Sequence, residues 1–276
     1  MMIALVNPLM FDSAYAAALQ PITGTKPSGI QFLKEGGDRY HQAREELPDD
    51  WYVYYRIVDR ITRANRLDIP FWTITLDDND QSVAYAYGAY ALSFDSELLD
   101  LMQGDISGVA YVVAHEIAHH THHHNAANIE FQRGLSDEIS DMLTGVGGFD
   151  SMVGEMLSVS DGFEDRTRAF ELMLELEAEE TAIDYLIRAG FNPESALSVF
   201  EIYEDLYGTT EEMEARQEKI QSLLTVFAFD AETAQVSSFL TMTHPMHYEL
   251  SEDRTELHVS YESIDYVTTL EELLGE

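Results

Sequence analysis

Two histidines and a glutamate between residues 115 and 119 have the types and spacing to carry metal-dependent chemistry. The segment from His115 to His119 reads HExxH and lies in a region, 108–125, that is predicted to form a helix. Residues four apart on a helix share a face, so both histidines can direct an imidazole nitrogen at one ion. Two imidazoles and a third ligand leave a position open on zinc, as catalytic sites require. The pattern therefore predicts zinc-activated hydrolysis with Glu116 as the general base.

The chain carries a large excess of negative charge. Its 276 residues include 51 Asp and Glu against 15 Lys and Arg, which gives a formal net charge of −36 at pH 7. Such a surface repels nucleic acid and anionic membranes, so both are excluded as partners. Solubility explains this excess more simply than an acidic recognition surface, although dense acids also attract metal ions and cationic substrates.

The composition also limits which residues can bind a metal and whether a helix can span a membrane. Cysteine is absent, so disulfides and thiolate ligands are excluded. No apolar run reaches the roughly 18 residues that a membrane-spanning helix needs. The apolar residues 1–11 are followed by no basic residue before Lys26, which makes them a poor secretory signal. We therefore expect a soluble protein, and the sequence leaves its compartment open.

The periodicity of apolar residues predicts a few early strands and later helices. Residues 1–44 are predicted to be a lead-in, residues 45–250 a single domain, and residues 251–276 a C-terminal tail. Residues 144–162, rich in Gly, Ser and Met, are predicted to form a mobile flap or a loose helix. Such a mixture predicts an α+β fold, mostly helical with a small mixed sheet. The predicted strands cover 71–76, 83–87 and 90–94, and the predicted helices cover 51–66, 108–125, 164–189, 193–207 and 211–227.

A second predicted helix could supply the third metal ligand. It contains four glutamates between residues 175 and 180, and the residues alone leave open which one binds, or whether they form a solvated acidic face. Here the chain resembles the HtpX-like and CAAX-prenyl-protease-like zinc metallopeptidases, especially their soluble, BepA-like branch. Those proteins carry HExxH, then ExxAD, then AGxxP. This chain has Glu175-x-x-Ala178-Glu179 and then Ala189-Gly190-x-x-Pro193.

The resemblance, which covers about residues 45–250, implies a gluzincin-like fold and a ligand set. It implies one zinc ion per chain, held by His115, His119 and Glu175. Glu179 replaces the family's Asp, and the resemblance implies that it accepts a hydrogen bond from a ligand histidine and so fixes the tautomer.

Two further segments match the family's pattern in part. Ala84-Tyr85-Ala86 corresponds to an edge strand that reads NAFA, and the resemblance implies pairing with the substrate backbone; an ordinary buried strand is the alternative. Thr243-His244-Pro245 matches a THP element, although the arginine that follows it in the family is not matched. The resemblance implies that His244 donates to the oxyanion or occupies the open position on zinc; a structural role is the alternative.

The helix that carries HExxH continues into a histidine-rich segment. We predict that His120, His122, His123 and His124 form an exposed cluster, favoured by the negative end of the helix dipole. A second metal site is the alternative.

Together these features predict a zinc-dependent endopeptidase that acts on extended or unfolded protein or peptide substrates. A catalytically idle metal-binding or chaperone-like protein on the same fold is the alternative, and Glu116→Gln separates the two because it should abolish cleavage and leave zinc bound. A zinc exopeptidase would need a group that reads a free chain terminus, and the sequence identifies none.

Overall fold

The computed structural model describes residues 39–68, 71–77, 84–88, 90–145, 149–227, 237, 240 and 243–261, with backbone alone for 139–145, 149–161 and 227. Its helices are α1 (His41–Glu46), α2 (Asp49–Ala64), α3 (Leu98–Leu101), α4 (Ile106–Thr121), α5 (His124–Gly145), α6 (Phe149–Ala189), α7 (Ser195–Tyr207) and α8 (Glu211–Phe227). Its strands are β1 (Trp72–Asp77), β2 (Ala84–Tyr87), β3 (Ala91–Asp95), β4 (His247–Leu250) and β5 (Glu256–Ser260).

The five strands form one sheet in the order β2-β3-β1-β5-β4. β1 pairs with β3 in parallel, and the other neighbours are antiparallel. The fold is therefore α+β, mostly helical with a small mixed sheet, as predicted. β2 is an edge strand among the described strands, so only β3 pairs with its backbone there.

One predicted boundary is wrong. β5 lies in the segment predicted to be a C-terminal tail, yet it pairs with β1 in the interior of the sheet. Leu257 and Val259 are fully buried on one face of this strand. Their period-2 alternation is the signal of a half-buried strand, so the predicted domain ended too early.

α4 crosses the centre of the domain. Its first turn is capped by Asp105, whose side chain accepts a hydrogen bond from the backbone N–H of Ser107. Val109, Val113 and Ile117 are fully buried. The helix stops at Thr121 rather than near residue 125, because the next turn contains His123 in the left-handed region at φ 57°. A new helix, α5, then begins at His124.

α6 packs against α4 and is longer than predicted. It begins at Phe149 rather than near residue 164, and α5 extends to Gly145, so most of the segment predicted as a mobile flap or a loose helix is helical. Residues 146–148 lie outside the described residues. α6 ends as predicted before Gly190, which has φ 75° and so adopts the left-handed conformation that closes many helices. Among the described helices, none has the length and apolar character that crossing a membrane requires.

Candidate metal centre

α4 and α6 bring the three predicted metal ligands together. His115 Nε2 lies 3.1 Å from Glu175 Oε2, and His119 Nε2 lies 3.0 Å from His115 Nε2 and 3.5 Å from Glu175 Oε1. Ligand atoms on one tetrahedral zinc ion, with bonds of about 2.0 to 2.1 Å, lie about 3.3 Å apart. All three side chains are at most 5% exposed. The donor set and its spacing therefore fit a zinc ion.

The charges around these ligands do not balance once both histidines are neutral, the form in which they bind a metal. The carboxylates of Glu116, Glu175 and Glu179 are buried, and Arg216 is the buried cation beside them among the described residues. With the histidines neutral, three carboxylates and one guanidinium leave two negative charges. Buried charge without a counter-charge is costly, so a dication suits this cluster, which we call the Glu175 cluster.

Arg216, on α8, holds the two glutamates of α6 in place. Its Nη1 lies 3.0 Å from Glu175 Oε2, and its Nε donates to Glu179 Oε1 at 2.7 Å. Its Nη2 lies 3.4 Å from His115 Nε2. Our sequence analysis missed this residue, because a single arginine on an amphipathic helix gives no signal of which distant carboxylates it meets.

Glu179 is fully buried beside His115. One carboxylate oxygen accepts a hydrogen bond from the hydroxyl of Tyr111 at 2.5 Å, and the other is bonded to Arg216. The latter oxygen lies 3.6 Å from His115 Nδ1, which is beyond hydrogen-bonding distance. His115 Nδ1 is buried without a hydrogen-bond partner among the described residues. The hydrogen bond that Glu179 is predicted to accept from a ligand histidine stays a prediction, and the two groups are close enough for an ion pair when His115 is protonated.

The ligand side chains carry shifted pKa values. Burial lowers the pKa of His119 to about 3, which keeps its imidazole neutral, as a metal ligand must be. Burial also disfavours the charged form of His115, but the carboxylates of Glu179 and Glu175 outweigh it and raise its pKa to about 10. Burial acts to raise the pKa of Glu175, yet Arg216 and His119 hold it well below its ordinary value. Glu175 is thus an anion, the form that binds a cation.

Glu116 lies between the ligands and the edge strand β2. It is 4% exposed, and burial, together with the neighbouring Glu175, raises its pKa to about 7. The backbone of Ala86 and a positively charged His115 act in the opposite direction. A carboxylate with a pKa near neutrality can both accept and release a proton at physiological pH.

The structure places the predicted substrate strand next to this carboxylate. Ala84 is buried, whereas Tyr85 and Ala86 are half-buried. Asn125 Nδ2 donates to the carbonyl oxygen of Ala86 at 3.4 Å, so this carbonyl group points away from β3. Val83, where the family has Asn, lies outside the described residues.

His244 is not brought to the Glu175 cluster. It is exposed, and it forms no hydrogen bond or ion pair with the part of the chain that the structure describes. The residues on either side fix its loop to α2: Arg63 Nη1 donates to Thr243, and Asp59 accepts from the backbone N–H of Met246. Its predicted role therefore stays a prediction.

The histidine-rich segment differs from the expected exposed cluster. His120 is 9% exposed, with Nε2 lying 2.8 Å from the carbonyl oxygen of Ala91, and His124 is 1% exposed. The prediction of exposure is wrong for these two. His120 faces β3 through its contact with Ala91, and the turn after Thr121 returns His124 to a position beside His119.

The fold and this geometry agree with a comparison against known proteins. The family model described as peptidase family M48 matches residues 53–250. The chain belongs to peptidase family M48. The M48 peptidases are zinc metallopeptidases, which confirms the resemblance at the level of the family and makes zinc the metal that this donor set implies. No curated protein matches the chain.

Proposed function

We propose that this M48 peptidase is a zinc-dependent endopeptidase that hydrolyses peptide bonds in extended or unfolded protein segments. The convergence of His115, His119 and Glu175 beside a buried Glu116 carries the proposal. These groups come from α4 and α6, and rigid helices position reactive groups more accurately than loops do.

The three ligands would hold the zinc ion through His115 Nε2, His119 Nε2 and the Glu175 carboxylate. When bound, zinc supplies a Lewis acid that polarises a carbonyl and lowers the pKa of a water molecule toward about 7. Two features beyond the donor set support this assignment: the surplus of two negative charges, and the spacing of the ligand atoms.

Glu116 would act as the general base. Its carboxylate takes a proton from the attacking water and later passes it to the leaving amine. The backbone of Ala86 beside it favours the ionised form of that carboxylate, and burial keeps bulk water from competing for the proton. A positioned base of this kind contributes about 10²- to 10⁴-fold to the rate.

The edge strand β2 would bind the substrate. An extended peptide can add to an exposed sheet edge through backbone hydrogen bonds, and the free edge of β2 lies on the side away from β3. Because Ala86 contacts Glu116, a peptide paired along residues 84–86 would pass over the general base. Only substrates with exposed backbone can pair in this way, so rigid folded proteins should resist cleavage.

His244 enters this proposal as an oxyanion donor. The Thr243-His244-Pro245 element supports that role through its likeness to the family's THP element, and its exposed position means that the loop would have to approach the substrate. A catalytically idle metal-binding or chaperone-like protein is the alternative function, and it would retain zinc without cleavage.

The proposal is tested by digestion of a permanently unfolded protein with wild-type enzyme and Glu116→Gln. We expect Glu116→Gln to lose about 10²-fold or more of the turnover and to keep its zinc. Glu201→Gln, which changes an exposed glutamate on α7, is the matched control and should cleave normally. Equal turnover in Glu116→Gln and wild type would reject the general base, and zinc-loaded wild type without cleavage would favour the idle protein.

A further inference from the structure

A second group of potential metal ligands lies behind His119. His122 Nδ1 is 3.1 Å from Glu177 Oε1, and His124 Nε2 is 3.4 Å from Glu177 Oε2. The three ligand atoms all lie within 4.8 Å of one another. These separations resemble those of the first ligand set and match the roughly 3.3 Å expected between ligands of a tetrahedral ion.

The two histidines of this group are oriented by other contacts. His122 Nε2 lies 2.7 Å from Thr181 Oγ1, so a hydrogen bond there leaves Nδ1 directed at Glu177. His124 is 1% exposed, whereas the side chains of His122 and Glu177 are 31% and 51% exposed. The group is therefore anchored on its buried side and open to solvent on the other, which gives an ion a path of entry.

We propose that His122, His124 and Glu177 form a second site for a divalent cation of the zinc type, coupled negatively to the first. The site uses imidazole nitrogens and a carboxylate oxygen, the donors that zinc accepts in the absence of cysteine. Both sites offer three protein ligands, so partial exposure makes the second site the weaker of the two. The remaining positions on the ion would be taken by water.

The coupling follows from one hydrogen bond between the sites. His119 Nδ1 and His124 Nδ1 lie 2.9 Å apart, so one of the two neutral rings donates and the other accepts. To bind the first ion through Nε2, His119 must carry its proton on Nδ1 and donate it. His124 then accepts on Nδ1, carries its own proton on Nε2, and donates to Glu177.

An ion in the second site requires the opposite arrangement. His124 must free Nε2, so its proton moves to Nδ1, where it meets the proton of His119. When both sites hold an ion, either this hydrogen bond is lost or one of the two imidazoles must release a proton. The coupling, though not the second site itself, rests on the proposed first ion. A lost buried hydrogen bond weakens the second binding event by about tenfold.

The site is tested by zinc binding to the untagged, metal-free full chain, measured by calorimetry. We expect two binding events in wild type, with the second weaker. His122→Gln should abolish the second event and leave the first, whereas His247→Gln, at an exposed histidine of β4, should leave both. Glu177→Gln, with Glu130→Gln as its exposed control, provides an independent pair in case His122→Gln fails to fold.

The outcomes separate this proposal from the proposed function. A single event in wild type that Glu175→Ala removes would overturn the second site and leave the first intact. A second event that survives both His122→Gln and Glu177→Gln at wild-type affinity would also overturn it. In Glu175→Ala, which weakens the first site, the second event should be about tenfold tighter than in wild type. Equal affinities in the two backgrounds would overturn the coupling.

Discussion

Two buried polar clusters lie in the same domain and differ in how their charges are balanced. The Asp59 cluster, on α2, is complete: the Asp59 carboxylate accepts from Arg63 Nε at 2.9 Å and Nη2 at 2.8 Å, from the hydroxyl of Tyr40 at 2.6 Å, and from the N–H of Met246 at 2.7 Å. The Asp59 carboxylate meets the guanidinium of Arg63 there, and both of its oxygens are bonded. A second buried guanidinium, that of Arg56, lies 3.7 Å from the centroid of the Tyr40 ring. This arrangement holds the loop before β4 to the helix and carries no surplus of negative charge among the described residues.

The Glu175 cluster is built from similar residue types and is incomplete. Its carboxylates outnumber the one guanidinium, two imidazole nitrogens and a carboxylate face a common point, and His115 Nδ1 has no hydrogen-bond partner among the described residues. The comparison shows that burial of charge alone does not indicate function. What separates the two clusters is the negative charge left when both histidines are neutral, which a bound dication would balance.

The largest effect is expected from a substitution in the Asp59 cluster. Asp59→Asn leaves the guanidinium of Arg63, which is 3% exposed, without a counter-charge. Removing one partner of a buried ion pair costs about 3 to 5 kcal/mol, so the free energy of unfolding should fall by that amount. Chemical denaturation measures it. Asp137→Asn, at an exposed position on α5, is the control and should have no such effect.

Neutralising a carboxylate of the Glu175 cluster should weaken metal binding rather than stability. Glu175→Gln should weaken zinc binding by more than about 100-fold, because even groups that only orient ligands contribute up to that factor. The free energy of unfolding of the metal-free protein should stay within about 1 kcal/mol of wild type, because Arg216 keeps Glu179 as its partner. A loss of stability equal to that of Asp59→Asn would remove the distinction between the clusters.

A substitution of His244 tests whether the two clusters act together. The loop of His244 is anchored at the Asp59 cluster, and His244 is predicted to act at the Glu175 cluster. As an oxyanion donor, His244 acts on the transition state, so His244→Ala should lower turnover about 10²-fold with unchanged zinc content. Higher turnover with looser zinc would instead identify a fourth ligand. Wild-type values for both would mean that His244 has neither role.

The smallest effect is expected from a substitution of Glu179, which lies beside the ligand His115. Glu179→Gln removes one anion from beside His115 and weakens the hold on Arg216, so zinc affinity should fall by about tenfold. Binding competition with a chelator measures the change. An affinity equal to wild type would show that Glu179 contributes only to packing.

The local part of the candidate site is the part that a sequence pattern can predict. His115, Glu116 and His119 lie on one helix, where spacing alone determines which side chains share a face. Glu175 lies 60 residues beyond His115, and its selection among neighbouring glutamates required the resemblance to a known family. Helix periodicity predicts which face is buried but not which residue of another helix it meets.

The contacts that the sequence could not predict join distant segments or depend on an unusual turn. Arg216 lies 101 residues beyond His115, and the bond from His124 to His119 depends on a turn whose left-handed residue, His123, is not glycine. The pairing of β5 with β1 was missed for the same reason, since the strand follows an irregular loop. Long-range pairing depends on the whole fold, which a local pattern does not contain.

We expect zinc to bind at the Glu175 cluster and not at the Asp59 cluster. Anomalous diffraction at the zinc edge, from crystals of the untagged protein grown with zinc, tests it directly. The account predicts a strong peak about 2.0 to 2.2 Å from His115 Nε2, His119 Nε2 and a carboxylate oxygen of Glu175. An absent peak at that point, with zinc found at Asp59 or only on surface carboxylates, would contradict it.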